Sequence, residues 1–310
     1  MYNYIINKKN VQKVNNYFNS VKGSRNIPYG FGSKVITWFC KTRFAREEYF
    51  TKRLNIFRQF LKSLPGEYNE EELLPRNIYS NFLKGWRSSS ISWMSENKLP
   101  RYVTINGLEH LEKALKEGKG VIMLNSHFGL AQAALYIFPI LGYQEFYTVV
   151  RAKGLESLKF EGSNKKNSPK ILAFKNNSQG ELFKQMYRAK EVLNKGGIVH
   201  LLGDGYHGMS AVNISFLGKL RGFRPSYAEL SIASGAIVLP TFVDCAMKGK
   251  ITVDILQALD AGNKDMKADD VREHMTKQYA KLLEDRWIEQ PWNVHWKFIE
   301  KHLYQVDAED

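Results

Sequence analysis

The sequence contains little cysteine and no long apolar run. Its only two cysteines, Cys40 and Cys245, lie far apart and match no metal-ligand spacing, which is typical of a reducing compartment and excludes a disulfide-stabilised scaffold. The longest apolar run, residues 133–143, contains Pro139 and Gly142 and is shorter than the roughly 18 residues of a membrane-spanning helix. The first ten residues lack the apolar core of a signal peptide. We therefore expect a protein that carries no secretion signal and does not cross a membrane.

Material for a hydrophobic core is nonetheless plentiful. Hydrophobic residues make up 44% of the chain and aromatic residues 13%. This composition excludes a disordered chain. The length of 310 residues fits one large α/β domain or two small domains.

Positive charge is concentrated near the N-terminus. The net charge is +14, and residues 1–62 contain thirteen Lys and Arg residues against Glu47 and Glu48. Aromatic residues are interspersed among these cations: Tyr29, Phe31, Trp38, Phe39, Phe44, Tyr49 and Phe50. Such a segment suits an anionic membrane surface or nucleic acid, and a solvated helix face whose aromatics lie in the core explains it equally well. None of the usual DNA- or RNA-reading motifs occurs, so we expect no nucleic-acid partner.

The first hundred residues predict a helical extension. Apolar residues recur every three or four positions over residues 33–64, which indicates one helix. Asn69, followed by three glutamates, is typical of the N-cap of a second helix, which we expect to run to about residue 96. Pro100 ends this part of the chain.

From residue 101 to residue 310 the pattern alternates between strands and helices. We predict strands at residues 102–105, 121–124, 146–150, 171–174, 198–202, 212–216, 236–243 and 251–255. We predict helices at residues 108–117, 129–141, 179–194, 226–234 and 267–288. This alternation implies crossover connections on a largely parallel sheet flanked by helices. The predicted fold class is therefore α/β, with residues 1–100 as a helical N-terminal extension and residues 101–310 as the α/β domain.

Residues 203–208, GDGYHG, match the dinucleotide-binding pattern G-x-G-x-x-G. Glu229 lies at a suitable distance downstream to bind a ribose. However, that motif needs a helix directly after its glycines, whereas residues 212–216 alternate like a strand. A metal site here would need three ligands spread over a strand end and a loop: His200, Asp204 and His207. We predict a structural turn instead, with neither a dinucleotide nor a metal.

Residues 120–132, GVIMLNSHFGLAQ, place His127 at the end of an apolar strand. Ligands of open α/β sheets bind beyond the carboxyl ends of the strands. A helix beginning at residues 128–129 would supply backbone N–H donors nearby. A histidine in this position can act as a general base on an alcohol or amine, although a lone histidine is more often structural. Ser126 is a poor nucleophile, because no G-x-S-x-G elbow occurs.

Several blocks of sequence occur in an order that is typical of one enzyme family. They read GLEHLEKALKEGKGVIMLNSHFG, VNISFLGKLRGFRPSYAELSIASGAIVLPTF and EQPWNVHWKFIEKH, with Arg151 and Asp204-Gly205 between the first two. Over residues 46–302 the chain resembles the lipid A biosynthesis lauroyl/myristoyl acyltransferase family. The resemblance implies a glycerolipid acyltransferase-like fold and the transfer of a fatty acyl group from acyl carrier protein or coenzyme A to a lipid-like acceptor. It implies no metal, and no cofactor beyond the acyl thioester as co-substrate.

The motif of that family is H-x4-D/E, in which His127 matches and Gln132 replaces the acid. In the implied mechanism His127 removes a proton from the acceptor hydroxyl, while the acid orients the imidazole and stabilises the imidazolium. Gln132 can accept a hydrogen bond and fix the tautomer, but it carries no negative charge. In serine proteases, replacing the orienting Asp by Asn lowers turnover about 10⁴-fold.

Three explanations of Gln132 remain open. Another carboxylate replaces the acid, and Asp204 at a neighbouring strand end is the first choice, with Glu229 the second. Alternatively, the acceptor is an amine, whose attack demands less of the base. Finally, the protein is a transfer-deficient homologue that binds lipid or acyl carrier protein without turnover.

The resemblance also implies the remaining site residues and partners. His127, Gln132 and Asp204 form the catalytic group, and Arg151 or N–H groups near the helix start hold the oxyanion. The substrate-binding residues are Asn125, Phe128, Gly129, Arg151, Gly205, Arg221, Arg224 and Glu229. Family members often carry an N-terminal membrane span. We expect residues 1–62 to hold this cytoplasmic protein on the inner face of the bacterial cytoplasmic membrane instead, or to dock acidic acyl carrier protein.

Overall fold

A seven-stranded sheet lies at the centre of the molecule. The computed structural model describes residues 7–151, 164–175, 179–205, 211–263 and 265–304. Its strands are β1 (Val103–Asn106), β2 (Val121–Asn125), β3 (Phe146–Arg151), β4 (Lys170–Phe174), β5 (Ile198–Leu202), β6 (Val212–Phe216), β7 (Lys219–Phe223), β8 (Ile237–Ala246) and β9 (Lys250–Ile255). The order in the central sheet is β1-β9-β8-β2-β5-β3-β4, and β6 and β7 form a separate pair.

Helices cover the sheet and form the N-terminal part. They are α1 (Lys8–Phe18), α2 (Val21–Asn26), α3 (Tyr29–Lys41), α4 (Thr51–Ser63), α5 (Glu70–Asn81), α6 (Lys84–Ile91), α7 (Leu108–Lys116), α8 (Ala134–Ile140), α9 (Gln179–Asn194), α10 (Ser226–Ser234), α11 (Ala268–Glu289) and α12 (Trp296–Leu303). Within the described ranges, no helix is both long and apolar enough to span a bilayer.

The sheet is mostly parallel, as predicted. β2 is buried along its whole length and pairs in parallel with β5 on one side and β8 on the other. An apolar strand covered on both faces is typical of a parallel sheet with helices on each side. β9 runs antiparallel to β8, because the short turn Met247–Gly249 can only reverse the chain, whereas a parallel neighbour needs a crossover.

The hairpin of β6 and β7 contains a strand that the sequence analysis did not predict. The sequence predicts a strand at residues 212–216, where β6 lies, but no strand at the residues of β7. The two strands pair antiparallel around Leu217 and Gly218, which both have positive φ. Two consecutive left-handed residues form the tight turn that matches the twist of a hairpin.

The predicted single helix over residues 33–64 is wrong. The structure has two helices, α3 and α4, with a π-helical turn at Ala45–Tyr49 between them. Thr42 adopts an extended backbone conformation after α3, and its hydroxyl accepts a hydrogen bond from the N–H of Ala45. Threonine competes with helix hydrogen bonds in this way.

The second N-terminal helix begins as predicted and ends earlier. The side chain of Asn69 accepts a hydrogen bond from the N–H of Glu72, which confirms the N-cap of α5. The helix stops at Asn81, because Phe82 is extended and Leu83 is left-handed (φ 54°). Phe82 packs against the rings of Phe39, Tyr49 and Phe50. That aromatic contact comes from tertiary packing and is not visible in the local sequence.

The N-terminal helices pack directly against the C-terminal segment. Trp296 Nε1 donates a hydrogen bond to Asn77 of α5, and Ser80 donates one to Asn293 over 2.9 Å. These contacts hold residues 293–296 against α5. The division of the chain at residue 100 stays a prediction.

Candidate active site

His127 lies at the carboxyl end of the central strand β2, as the sequence predicts. Asn125 and Ser126 before it are buried, while 43% of the His127 side chain is exposed. Burial of β2 fixes the backbone, and the ring emerges where the strand ends. A titratable group is therefore held at an opening by a rigid element.

Asp204 is the carboxylate that contacts His127. It follows β5, the parallel neighbour of β2, so the two strand ends lie side by side. Asp204 Oδ1 lies 2.8 Å from Nδ1 of His127, and Asp204 Oδ2 accepts a hydrogen bond of 2.7 Å from the His127 backbone N–H. Because an ionised carboxylate only accepts, the neutral tautomer that fits this contact carries its hydrogen on Nδ1 and its lone pair on Nε2.

The surroundings of Asp204 favour its ionised form. Burial opposes ionisation, but the nearby His127 ring, the hydrogen bonds from His127 and the charge of Arg221 together hold the pKa of Asp204 below its ordinary value. Arg221 is only 1% exposed, donates to the backbone carbonyl of Asp204 over 2.9 Å, and lies over the rings of Phe216 and Phe223. In this position Arg221 supports Asp204 and does not line an open surface.

The sequence analysis missed two aromatic side chains that hold the site. Phe298 of α12 stacks on the His127 ring with a centroid distance of 4.5 Å, and Tyr279 of α11 donates its hydroxyl to the backbone carbonyl of Asn125 over 2.7 Å. Phe298 lies in the block EQPWNVHWKFIEKH that carried the family resemblance. That block was the only signal that could have identified it.

The turn after His127 differs from the prediction. No α-helix begins at residues 128–129: Phe128 is buried and forms a β-bridge with Val294, and α8 begins only at Ala134. The N–H of Gly129 donates to the carbonyl of Asn293, and the next N–H, from Leu130, donates to the carbonyl of Val243. Two of the backbone donors expected to hold an oxyanion at a helix start, those of Gly129 and Leu130, are therefore already used.

A glycine is required at position 129, because the backbone there lies close to the carbonyl group of Val243. Its φ is +51°, and a Cβ at this position would lie 2.0 Å from the carbonyl oxygen of Val243. Only glycine fits both the left-handed conformation and the contact. Gly129 thus shapes the turn that positions His127.

The other two candidate positions do not supply the carboxylate on Nδ1 of His127. Gln132 lies half-buried in the 3₁₀ turn Ala131–Ala133, and the carboxylate on Nδ1 of His127 comes from Asp204. Glu229 lies on α10 and forms an ion pair with Arg272 at 3.4 Å. The structure brings together His127 and Asp204, the first of the substitutions considered from the sequence.

Arg151 and Arg224 lie near each other at the same edge of the sheet. Arg151 is the exposed last residue of β3, and Arg224 follows β7 with its side chain beside Gly205. Burial and the charge of Arg151 lower the pKa of Arg224, and Arg224 Nε is buried without a hydrogen-bond partner in the described structure. Two repelling guanidinium groups at a strand edge suit an anionic ligand.

Asn125 is buried at the end of β2. Neither atom of its side-chain amide has a hydrogen-bond partner among the described residues. An unsatisfied buried amide next to a candidate active site is costly and fits a role in binding substrate.

The G-x-G-x-x-G match is followed by a strand, β6, as predicted. His207 and the rest of residues 206–210 lie outside the described residues, and so do residues 152–163 of the polar loop after β3. Across the part of the chain that the structure describes, no three His, Cys, Asp or Glu side chains are grouped to hold a metal ion.

Comparison with known proteins identifies the family. The family described as bacterial lipid A biosynthesis acyltransferase matches residues 31–299, most of the chain, including the strands that carry His127 and Asp204. No curated protein sequence matches the chain. The match confirms the family predicted from the sequence and implies acyl transfer to a lipid-like acceptor. The chain belongs to the bacterial lipid A biosynthesis acyltransferase family.

Proposed function

We propose that this protein transfers a fatty acyl group from a thioester of acyl carrier protein or coenzyme A to a hydroxyl or amine of a lipid-like acceptor, with His127 as the general base. The observation that carries this proposal is the contact of Asp204 with both Nδ1 and the backbone N–H of His127. That contact supplies the charge that Gln132 lacks. It supports an active dyad over the transfer-deficient alternative.

The proposed chemistry follows from the orientation of the imidazole. Nε2 of His127 removes the proton of the acceptor oxygen or nitrogen as that atom attacks the thioester carbonyl. Asp204 keeps the proton on Nδ1 and stabilises the imidazolium that forms. Collapse of the tetrahedral intermediate breaks the carbon–sulfur bond, and the imidazolium returns the proton to the leaving thiolate. An acyl ester or amide and a free thiol result.

Side chains would stabilise the developing oxyanion. The N–H groups of His127, Gly129 and Leu130 are occupied by Asp204, Asn293 and Val243 respectively. The unpaired amide of Asn125 and the two guanidinium groups of Arg151 and Arg224 therefore become the proposed polar contacts for substrate.

We propose that the enzyme acts on the inner face of the bacterial cytoplasmic membrane as a peripheral protein. Among the aromatic residues interspersed with the N-terminal cations, Phe31 and Trp38 are 64% and 59% exposed. They lie on α3 in the cation-rich N-terminal region, a composition suited to anionic lipid. The same charge suits acidic acyl carrier protein.

The dyad is tested by comparing three variants with labelled acyl thioester donors and a lipid extract. His127→Ala should abolish acyl transfer. Asp204→Asn should lower kcat by about 10³–10⁴-fold, since an asparagine can favour the wrong tautomer, while Gln132→Ala should stay within about tenfold of the wild type, because Gln132 does not supply the charge. Wild-type rates for His127→Ala would refute the proposal.

The variant Gln132→Glu tests whether the dyad of His127 and Asp204 is complete without an acid at position 132. Because Asp204 already holds Nδ1, we expect little change or a loss in kcat. A large gain in rate would instead show that the acid at position 132 was missing and that Asp204 does not replace it.

A further inference from the structure

We propose that His295 and the cations around it, Lys84, Arg53 and Lys297, form a phosphate-binding subsite beside His127. The inference rests on the acyl transfer proposed above and specifies the chemical class of one substrate group. None of these four residues is assigned a role in the mechanism described so far.

The subsite shares a wall with the candidate active site. Phe298 stacks on His127 at 4.5 Å and meets the His295 ring edge-on at 6.4 Å. His295 caps α12 by accepting a hydrogen bond from the N–H of Lys297. Arg53 of α4 lies over the ring of Trp296 at 4.4 Å from its centroid. Residues 295–298 thus gather two cations and a histidine next to the catalytic ring.

Lys84 reaches the same place from the N-terminal helices. It is the half-buried first residue of α6, and α6 packs against the turn Ala131–Ala133 that follows His127. Asn81, three residues before Lys84, donates a hydrogen bond of 3.2 Å to the carbonyl of Val294, the residue before His295. The Lys84 ammonium forms no hydrogen bond or ion pair with any residue that the structure describes.

A second positive charge lies on the same helix as Lys84. One turn further along α6, Arg87 is fully buried and donates only to neutral groups: Cys245 Sγ and the carbonyl oxygens of Ser80 and Phe82. The N-terminal end of a helix is itself positive. Burial and the charge of Arg87 lower the pKa of Lys84 to about 7, although Asp204 acts in the opposite direction.

His295 shows the same excess of positive charge. Burial, followed by the charges of Lys84, His127, Lys297 and Arg53, lowers the pKa of His295 to about 2. His295 is therefore neutral at physiological pH. The carboxylate in electrostatic reach of Lys84, Asp204, is engaged by His127. A bound anion would relieve the repulsion among the positive groups around His295.

Phosphate is the anion that fits these groups. Ammonium and guanidinium groups both bind phosphate through charge-assisted hydrogen bonds. Two sources are compatible with acyl transfer: the phosphopantetheine arm shared by both thioester donors, and a phosphate on the acceptor. A phosphate on the acceptor would lie close to the reacting atoms, whereas the phosphate of the phosphopantetheine arm lies at the end of that arm opposite the thioester.

Calorimetric titration of the full chain tests the subsite without measuring transfer. The donor arm compares 4′-phosphopantetheine with pantetheine, and the acceptor arm compares glucosamine 1-phosphate with glucosamine. We expect at least tenfold tighter binding of the phosphate-bearing probe in one arm, about 1.4 kcal/mol, and the arm identifies the source. Lys84→Met should abolish this preference. Lys116→Met, which removes an exposed lysine from α7, should preserve it.

Each other outcome overturns the proposal. Equal binding of both probes in each arm, or an unchanged preference in Lys84→Met, would do so. A lower kcat of Lys84→Met with unchanged phosphate binding would place the ammonium at the reacting carbonyl instead. Arg53→Gln, at the exposed side of the subsite, repeats the test if Lys84→Met does not fold. Failure of acyl transfer alone leaves the binding result intact, so the two hypotheses fail separately.

Discussion

At the scale of single residues, the candidate catalytic pair is built from two neighbouring strand ends. His127 follows β2 and Asp204 follows β5, so the pair is 77 residues apart in sequence and 2.8 Å apart in space. Parallel neighbours end at the same edge of a sheet, and a carboxylate on one can serve a histidine on the other. The acid therefore need not lie on the segment that carries the histidine.

The lowered pKa of Asp204 predicts a loss of stability in acid. The folded protein holds this carboxyl ionised to a lower pH than the unfolded chain does, so the stabilisation is present above about pH 4 and is lost as the pH falls through the folded pKa. Asp204→Asn should have a lower free energy of unfolding at pH 7, by about 1–3 kcal/mol, and a flatter dependence below pH 4. Denaturant titrations at several pH values measure both.

Asp265→Asn, at an exposed aspartate outside the site, is the control for that experiment. It should follow the wild-type curve. If Asp204→Asn lost stability in acid as steeply as the wild type, the ionised carboxylate of Asp204 would not be the source of the acid sensitivity.

At the scale of elements, the turn between β2 and α8 sets the position of His127. Its backbone is tied to Asn293 and Val243 rather than continued into a helix. Gly129→Ala should destabilise the protein by about 2–4 kcal/mol, because the new Cβ meets the carbonyl of Val243 in addition to the cost of a left-handed alanine. Thermal unfolding and acyl transfer should both show the loss.

Gly118→Ala is the matched variant for this turn. Gly118 also has positive φ, but nothing lies within 4 Å of an added Cβ. Gly118→Ala should lower the free energy of unfolding by about 1 kcal/mol, which is the conformational cost of a left-handed alanine alone. Equal losses in the two variants would mean that the approach of Val243 contributes nothing.

At the scale of the whole molecule, the uneven charge predicts a reversible contact with anionic lipid. The protein should pellet with phosphatidylglycerol vesicles at low salt and be released at about 0.5 M salt, where charges are screened within a few ångströms. Replacing Phe31 and Trp38 together by serine should weaken binding at low salt, because apolar insertion is lost. A wild-type protein that stays in the supernatant at low salt would contradict the membrane proposal.

Phe183→Ser controls for the loss of an exposed aromatic side chain. Phe183 is 80% exposed on α9, outside the basic N-terminal segment. Its variant should bind vesicles as the wild type does. Weaker binding of this variant would place the lipid-facing surface elsewhere.

The sequence by itself determined the class of the fold, the family and the position of His127. Alternating apolar strands and helices specify a mostly parallel sheet, because each segment must bury its apolar face. The end of the apolar run marks where β2 meets the ligand-binding edge. These features depend on local pattern, which is readable along the chain.

Tertiary structure decided what lies beside each of these segments. The break at Phe82 and the turn at Gly129 depend on contacts with distant residues, which override helix propensity. The partner of His127, the stacking of Phe298 and the approach of Lys84 to His295 likewise join residues far apart in sequence. Local periodicity does not predict such contacts, because they form only when the strands and helices pack.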